Sequence, residues 1–160
     1  NGNRKTLTKR DGTTIVYDYD ALNREIKKTI PVPANGSQNV YTTYDLLNLK
    51  TSARFGSANG AGIIYTYSGF GEVIRESSSV SGNTYSVSNH YDKHNNRTAV
   101  IHNDNATFTY IYDGLDRNTH IREGNSSGPV LITNGFDNFA RPQNQTTAGN
   151  AITSIAYDRL

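Results

Sequence analysis

No cysteine occurs among the 160 residues, so no disulfide, thiol nucleophile or thiolate-held metal is possible. Tryptophan is absent too, which removes the largest aromatic platform for stacking on a ligand. Hydrophobic residues make up only 34%, a small share for a globular chain, so a thin core is expected. No apolar run approaches the ~18 residues of a membrane helix, and membrane insertion is not expected. Charge is nearly balanced, with 16 Lys+Arg against 14 Asp+Glu and a formal net charge of +2. The densest basic group, Lys5, Lys9 and Arg10, is too sparse to track a phosphate backbone, so nucleic acid is not an expected partner. Helical periodicity with capping signals is missing. The opening "NGNRK" carries no signal-peptide pattern.

What is present is a phrase that recurs. The anchors are Tyr19-Asp20, Tyr44-Asp45, Tyr67-Ser68, Tyr91-Asp92, Tyr112-Asp113, Phe136-Asp137 and Tyr157-Asp158. They are separated by 25, 23, 24, 21, 24 and 21 residues, a true period with insertions in the connections. Ahead of each anchor runs a β-branched and aromatic stretch, such as "TIVYDY" or "TFTYIY". A short polar segment follows, such as "ALN", "GFG" or "KHNN", with the chemistry of a turn. A second alternating stretch then begins at Arg24, Arg97 or Arg117, and Arg141 occupies the same place after Phe136-Asp137.

Each repeat therefore reads as strand, turn, strand. The fold class is all-β: tandem antiparallel hairpins of 21–25 residues, roughly a dozen strands in a sheet too wide to stay flat, which should twist and curl. "PVPANGSQN", "GSANGAG" and "EGNSSGP" supply the outer connections. "NGNRKTL" overlays "HNNRTAV", and "YDRL" opens a further repeat. Residues 1–160 are thus expected to form one repeat array cut inside a repeat at both ends.

A Tyr-Asp-x-x-(Asn/Gly)-Arg phrase at this period resembles the YD-repeat, or Rhs-repeat, family, on the wording of "YDALNRE", "YDGLDRN" and "NGNRKTL". That family includes bacterial Rhs polymorphic toxins, insecticidal toxin-complex shell proteins, wall-associated proteins and teneurins. The resemblance implies a sheet that spirals into a hollow shell and, in the bacterial toxins, encloses a toxic domain. It implies a secreted or cell-surface bacterial protein whose partners are further repeats of the same polypeptide, or identical chains joined end to end, and an enclosed toxin domain. The family's self-cleaving core ends in an Asp-Pro signature, and no Asp-Pro pair occurs here.

The recurrence bears on chemistry as well. An enzyme needs one preorganised site, whereas a stitch is needed once per hairpin, so the phrase is expected to be structural and the chain not an enzyme. The expected stitch has three parts. The anchor ring packs on the sheet, with packing dominant because Phe136 lacks the hydroxyl. The Asp accepts turn amides, and the Arg pairs with the Asp. Ser68 and Glu72 lose both partners together, and Tyr44-Asp45 is followed by Leu49 instead of Arg. Neither cofactor nor metal is expected: His90 and His94 have a helical ligand spacing on a strand–turn junction, and His102 and His120 lie in return strands. The alternative reading is an extracellular carbohydrate-binding or adhesion module, with glycans stacked on Tyr17, Tyr41, Tyr65 and Tyr110, or a self-assembling filament of repeats. Tyr41, three residues before its anchor, shares the anchor's face only if a bulge intervenes.

Overall fold

The computed structural model describes residues 2–32 and 36–157; Asp158 and the middle of "PVPANGSQN" lie outside the described residues. The chain divides into two compact units, Asn1–Ser86 and Val87–Leu160. The first contains β1 (Thr6–Thr8), β2 (Thr14–Tyr19), β3 (Glu25–Val32), β4 (Gly36–Tyr44), β5 (Lys50–Phe55), β6 (Gly62–Tyr67) and β7 (Val73–Val80). Strand β8 (Asn83–Tyr91) begins in the first unit and ends in the second. The second unit continues with β9 (Arg97–His102), β10 (Thr107–Tyr112), β11 (Asn118–Glu123), β12 (Val130–Phe136), β13 (Pro142–Thr147) and β14 (Ile152–Ser154).

Within each unit every strand pairs antiparallel with its neighbours in sequence, so spatial order is chain order. No helix occurs among the described residues, and none is long and apolar enough to cross a membrane. The architecture is all-β and hairpin-built. Alternation in β2 shows how the faces sort: Ile15, Tyr17 and Tyr19 take the more covered face, Thr14, Val16 and Asp18 the more exposed one.

The core is thin. Among the described residues the buried apolar side chains are Ile15 and Val100, at 9% and 7% exposure, and they are joined by the polar Thr42 and Ser52. Among the described residues no side chain is wholly sealed, and large ones such as Leu46, Phe70 and Phe139 stand open to solvent. Because the apolar area removed from water is small, directed hydrogen bonds and turns must carry an unusual share of the order.

One irregularity recurs in every described hairpin of the phrase. Register slips just before the anchor, between Asp18/Tyr19, Thr43/Tyr44, Thr66/Tyr67, His90/Tyr91, Ile111/Tyr112 and Gly135/Phe136. The extra residue lies on the return strand each time. Tyr19 faces Glu25 while Asp18 faces Lys27, which leaves Ile26 unpaired. Thr51, Ile74, Thr98, Thr119 and Gln143 hold the same place. A bulge increases local twist and re-phases the faces of the strand that carries it. Because the bulge is on the return strand and not on β4, Tyr41 lies on the face opposite Tyr44. It pairs with Lys27 across β3–β4, and the Lys27 ammonium lies 5.7 Å from its ring centroid.

Candidate functional site: the repeated turn

The Asp20 turn defines the unit. Its Oδ1 accepts the backbone N–H of Leu22 at 2.9 Å and of Arg24 at 3.0 Å. Its Oδ2 accepts Arg24 Nε at 2.7 Å. The Asn23 N–H donates to the Asp20 carbonyl, and the Asp20 N–H to the Arg24 carbonyl, both at 3.0 Å. This is a three-residue loop whose last residue must turn left-handed, and Asn23 has φ 62°. Asn and Asp enter that region more readily than other residues with a Cβ.

The same frame closes at Asp45, Ser68, Asp92, Asp113 and Asp137, where the side-chain oxygen takes the N–H groups two and four residues on. The left-handed residues are Asn48, Gly71, Asn95, Asp116 and Ala140. These bonds hold the carboxyls of Asp20, Asp92, Asp113 and Asp137 below their usual range. At Asp20 the largest cause is the Arg24 N–H, at Asp92 the Asn96 N–H and at Asp113 the Arg117 guanidinium. At Asp137 partial desolvation pushes the other way and is outweighed by the Arg141 N–H and guanidinium.

The ion pair is less regular than the amide cradle. Arg24, Arg117 and Arg141 pair with Asp20, Asp113 and Asp137 at 2.6–2.8 Å. Arg97 does not pair with Asp92. It stands one residue too late, and Asn96 occupies the place, with Nδ2 at 3.2 Å from Asp92 Oδ2. Arg97 instead lies over the Tyr110 ring, 5.0 Å from its centroid. Ser68 is not a turn without a stitch: its hydroxyl accepts both amides and also bonds the Glu72 carboxylate, so the polarity of the pair is reversed instead of lost.

Two further contacts join one repeat to the next. The anchor hydroxyls donate to a backbone carbonyl of the preceding repeat, always the residue five after its turn opener: Tyr44 to Glu25 at 3.0 Å, Tyr67 to Lys50 at 2.7 Å, Tyr112 to Arg97 at 3.0 Å and Tyr157 to Pro142 at 2.7 Å. Tyr19 donates likewise to the Arg4 carbonyl, at 2.9 Å. Phe136 has no hydroxyl to give. There Asn134 Nδ2 donates to the corresponding carbonyl, that of Asn118, at 3.1 Å. Ring packing alone is therefore not what the position does. The carbonyl receives its bond even where the phenol is missing, because an acceptor left without a partner costs more than a made bond returns.

The arginines make the second contact. Arg24 lies over the Tyr44 ring, Arg117 over Phe136 and Arg141 over Tyr157, with the guanidinium carbon 4.8, 4.5 and 4.1 Å from the centroids. Each is the arginine of one turn on the anchor ring of the next. Burial raises the phenols of Tyr44, Tyr67 and Tyr112 above their usual range.

Nothing in this geometry converges on a reacting atom. Carboxylate, guanidinium and phenol satisfy one another and the backbone, and the set is repeated along the strands. The histidines are dispersed: His102 meets the Phe108 ring edge-on, and His120 bonds Thr119. No group of three His, Asp or Glu side chains suited to a metal occurs among the described residues.

Comparison with solved structures finds the same fold in toxin complexes. The chain is similar to TcdB2–TccC3. Crystal structures of TcdB2–TccC3 with Cdc42 and of TcdB2–TccC3 alone match with TM-score 0.57 and 12% identity over 98% of this chain. The Photorhabdus luminescens Tc holotoxin pore matches with TM-score 0.51 and 12% identity over 86% of this chain. In every case the chain spans about a tenth of the length of the matched chain. No family model and no curated protein matches.

The positions that sequence reasoning missed are the residues five and six after the turn opener. Asn23, Asn48 and Asn95 recur at the left-handed place and were visible as a third repeated letter. The bulged residues carry no common letter, and the carbonyl under each phenol carries none by nature.

Proposed function

We propose that the chain is a wall segment of a β-scaffold of the YD-repeat, or Rhs, kind, which encloses or displays another domain and performs no catalysis of its own. The observation that carries this reading is the repeat-to-repeat bonding. Each described turn spends its charged and hydroxyl groups on the turn itself and on the next repeat, leaving no set aimed at a substrate. The likeness to Tc toxin-complex chains supports the same role, at the level of fold. The natural partners are then further repeats of this wording, in the same polypeptide or in identical chains end to end, and an enclosed toxin domain. The location is secreted or at the bacterial cell surface.

The glycan-binding alternative is less well served. Tyr41 faces away from the anchor side, and the rings of Tyr17 and Tyr110 already lie beneath Lys28 and Arg97. The test is protease protection in the whole polypeptide that carries these repeats. An enclosed domain should resist digestion until the repeats are unfolded by denaturant, then be cut. Digestion of that domain at the rate of the free domain, with the repeats still folded, overturns enclosure. Selective retention on a glycan array would favour the alternative.

A further inference from the structure

The residue four after the turn opener points forward, at the left-handed residue of the following turn. Asn3 Nδ2 donates to Asn23 Oδ1 at 2.9 Å. Arg24 Nη1 donates to Asn48 Oδ1 at 2.8 Å and to the Asp45 carbonyl at 3.1 Å. Asn96 Nδ2 donates to Asp116 Oδ1 at 2.8 Å, where His94 Nδ1 also approaches to 2.9 Å. In all three a donor meets an Asn or Asp with φ of 57–64°.

Two other turns lack the acceptor, and their partners differ accordingly. Leu49 has nothing to donate, and the left-handed residue ahead of it is Gly71, at φ 92°. A Cβ built on Gly71 would stand 3.7 Å from Leu49 Cδ1, so the two positions are neighbours there as well. Ahead of Arg117 the left-handed residue is Ala140, whose methyl accepts nothing. Arg117 turns back, placing both Nε and Nη2 on Asp113 Oδ2 at 2.8 and 2.6 Å, whereas Arg24 gives Asp20 its Nε and sends Nη1 forward.

Glycine would be the least strained choice at a left-handed position. At Asn23, Asn48 and Asp116 the forward donor gives the Asn or Asp a contact that glycine could not make. We propose that these two positions form a matched pair that favours the stacking of some repeats over others: a donor four residues after one turn opener favours a repeat with Asn or Asp at its left-handed residue, an aliphatic residue favours a repeat with Gly, and a donor that meets neither, as Arg117 ahead of Ala140, turns back to its own opener. The surface is the turn edge of a repeat, and its partner is another repeat of this class with the complementary residue. Polar and apolar rungs then favour one order of repeats, because a shift by one whole repeat would set a donor on Gly71, or Leu49 on an amide.

The rule predicts a reversal of sign. Asn48→Gly relieves backbone strain but removes the acceptor for Arg24. With Arg24 present it should lower the denaturation midpoint; in an Arg24→Leu background, where no donor remains, the same change should raise it. A rise in both backgrounds, or an equal fall in both, overturns the pairing. Should Arg24→Leu not fold, the reciprocal experiment serves. Gly71→Asn alone should lower the midpoint, and Leu49→Arg added to it should recover at least half of that loss. Failure to recover any of it overturns the rule equally.

Discussion

Ala140 is the residue most at odds with its backbone. It holds φ 63° with a Cβ and with no donor or acceptor to justify it. Ala140→Gly should therefore stabilise the second unit by about 1 kcal/mol, read as a higher denaturant midpoint at unchanged slope. A lower midpoint would mean that its methyl is packed usefully. The anchor hydroxyls support a paired prediction. Tyr112→Phe removes the donor to the Arg97 carbonyl at 3.0 Å and should cost about 0.5–1.5 kcal/mol. Phe136→Tyr should return little, since the Asn118 carbonyl already accepts from Asn134. A gain as large as the loss at Tyr112 would show that Asn134 is not the substitute. At this scale the Asp, the Arg and the anchor ring were legible because each is a repeated letter. Arg97 was misassigned because one letter, Asn96, separates "NNR" from "LNR", and hydrogen-bond reach decides which of the two meets the carboxylate. The phenol–carbonyl bond spans 15–19 residues onto a backbone atom and leaves no letter to read.

A hairpin repeats its defects as faithfully as its strands. Alternation announced the strands in sequence, and Gly, Asn and Asp announced the turns. The bulge did not announce itself, since Ile26, Thr51, Thr98 and Gln143 share neither size nor polarity. What places it is the loop, which closes on an even bond pattern around the opener and forces the odd residue onto the return strand. The outer connections "GSANG" and "GNSSG" are a second repeated device. In each an arginine from the adjoining strand, Arg54 or Arg122, donates to the carbonyl of the last loop glycine, Gly60 or Gly128, at 2.9 and 2.7 Å. A Cβ on either glycine would stand 1.8 Å from a backbone oxygen, that of Phe55 or Glu123. Gly128→Ala should thus displace the loop and destabilise the second unit by about 1–3 kcal/mol, as overpacking against backbone does. Gly114→Ala is the control, with nothing within 4 Å of the new methyl, and should be neutral. Equal losses at the two sites in parallel denaturation curves would remove the steric argument.

At the scale of the chain, the turns act in parallel on one variable, pH. The period of the array was legible from the anchors alone; the division after Ser86 was not, because no change in wording marks it. What both units share is carboxylates held below their usual range: Asp11 and Asp20 in the first, Asp92, Asp113, Asp116 and Asp137 in the second. Asp11 is lowered to about 2, chiefly by the Thr13 hydroxyl, and Asp116 chiefly by His94. A carboxyl depressed in the folded state binds its proton less readily there than in the unfolded chain, whose value is near 4. Its contribution is complete above that value and is lost as pH falls through the folded one. The thermal midpoint should accordingly be level between about pH 7 and 5 as far as these groups act, and should drop steeply from about pH 4 towards 2. Asp113→Asn with Asp137→Asn should flatten that drop while lowering the midpoint at pH 7. The side-chain carbonyl still accepts the turn amides, but it gives Arg117 and Arg141 no charge to pair with. In that double variant, amide exchange at Leu115 and Phe139 should be faster than in the parent at pH 7 and should change less on acidification than exchange at Leu22. A midpoint that holds steady down to pH 2, or a double variant as acid-sensitive as the parent, would show that the turn carboxylates do not couple the array to acid.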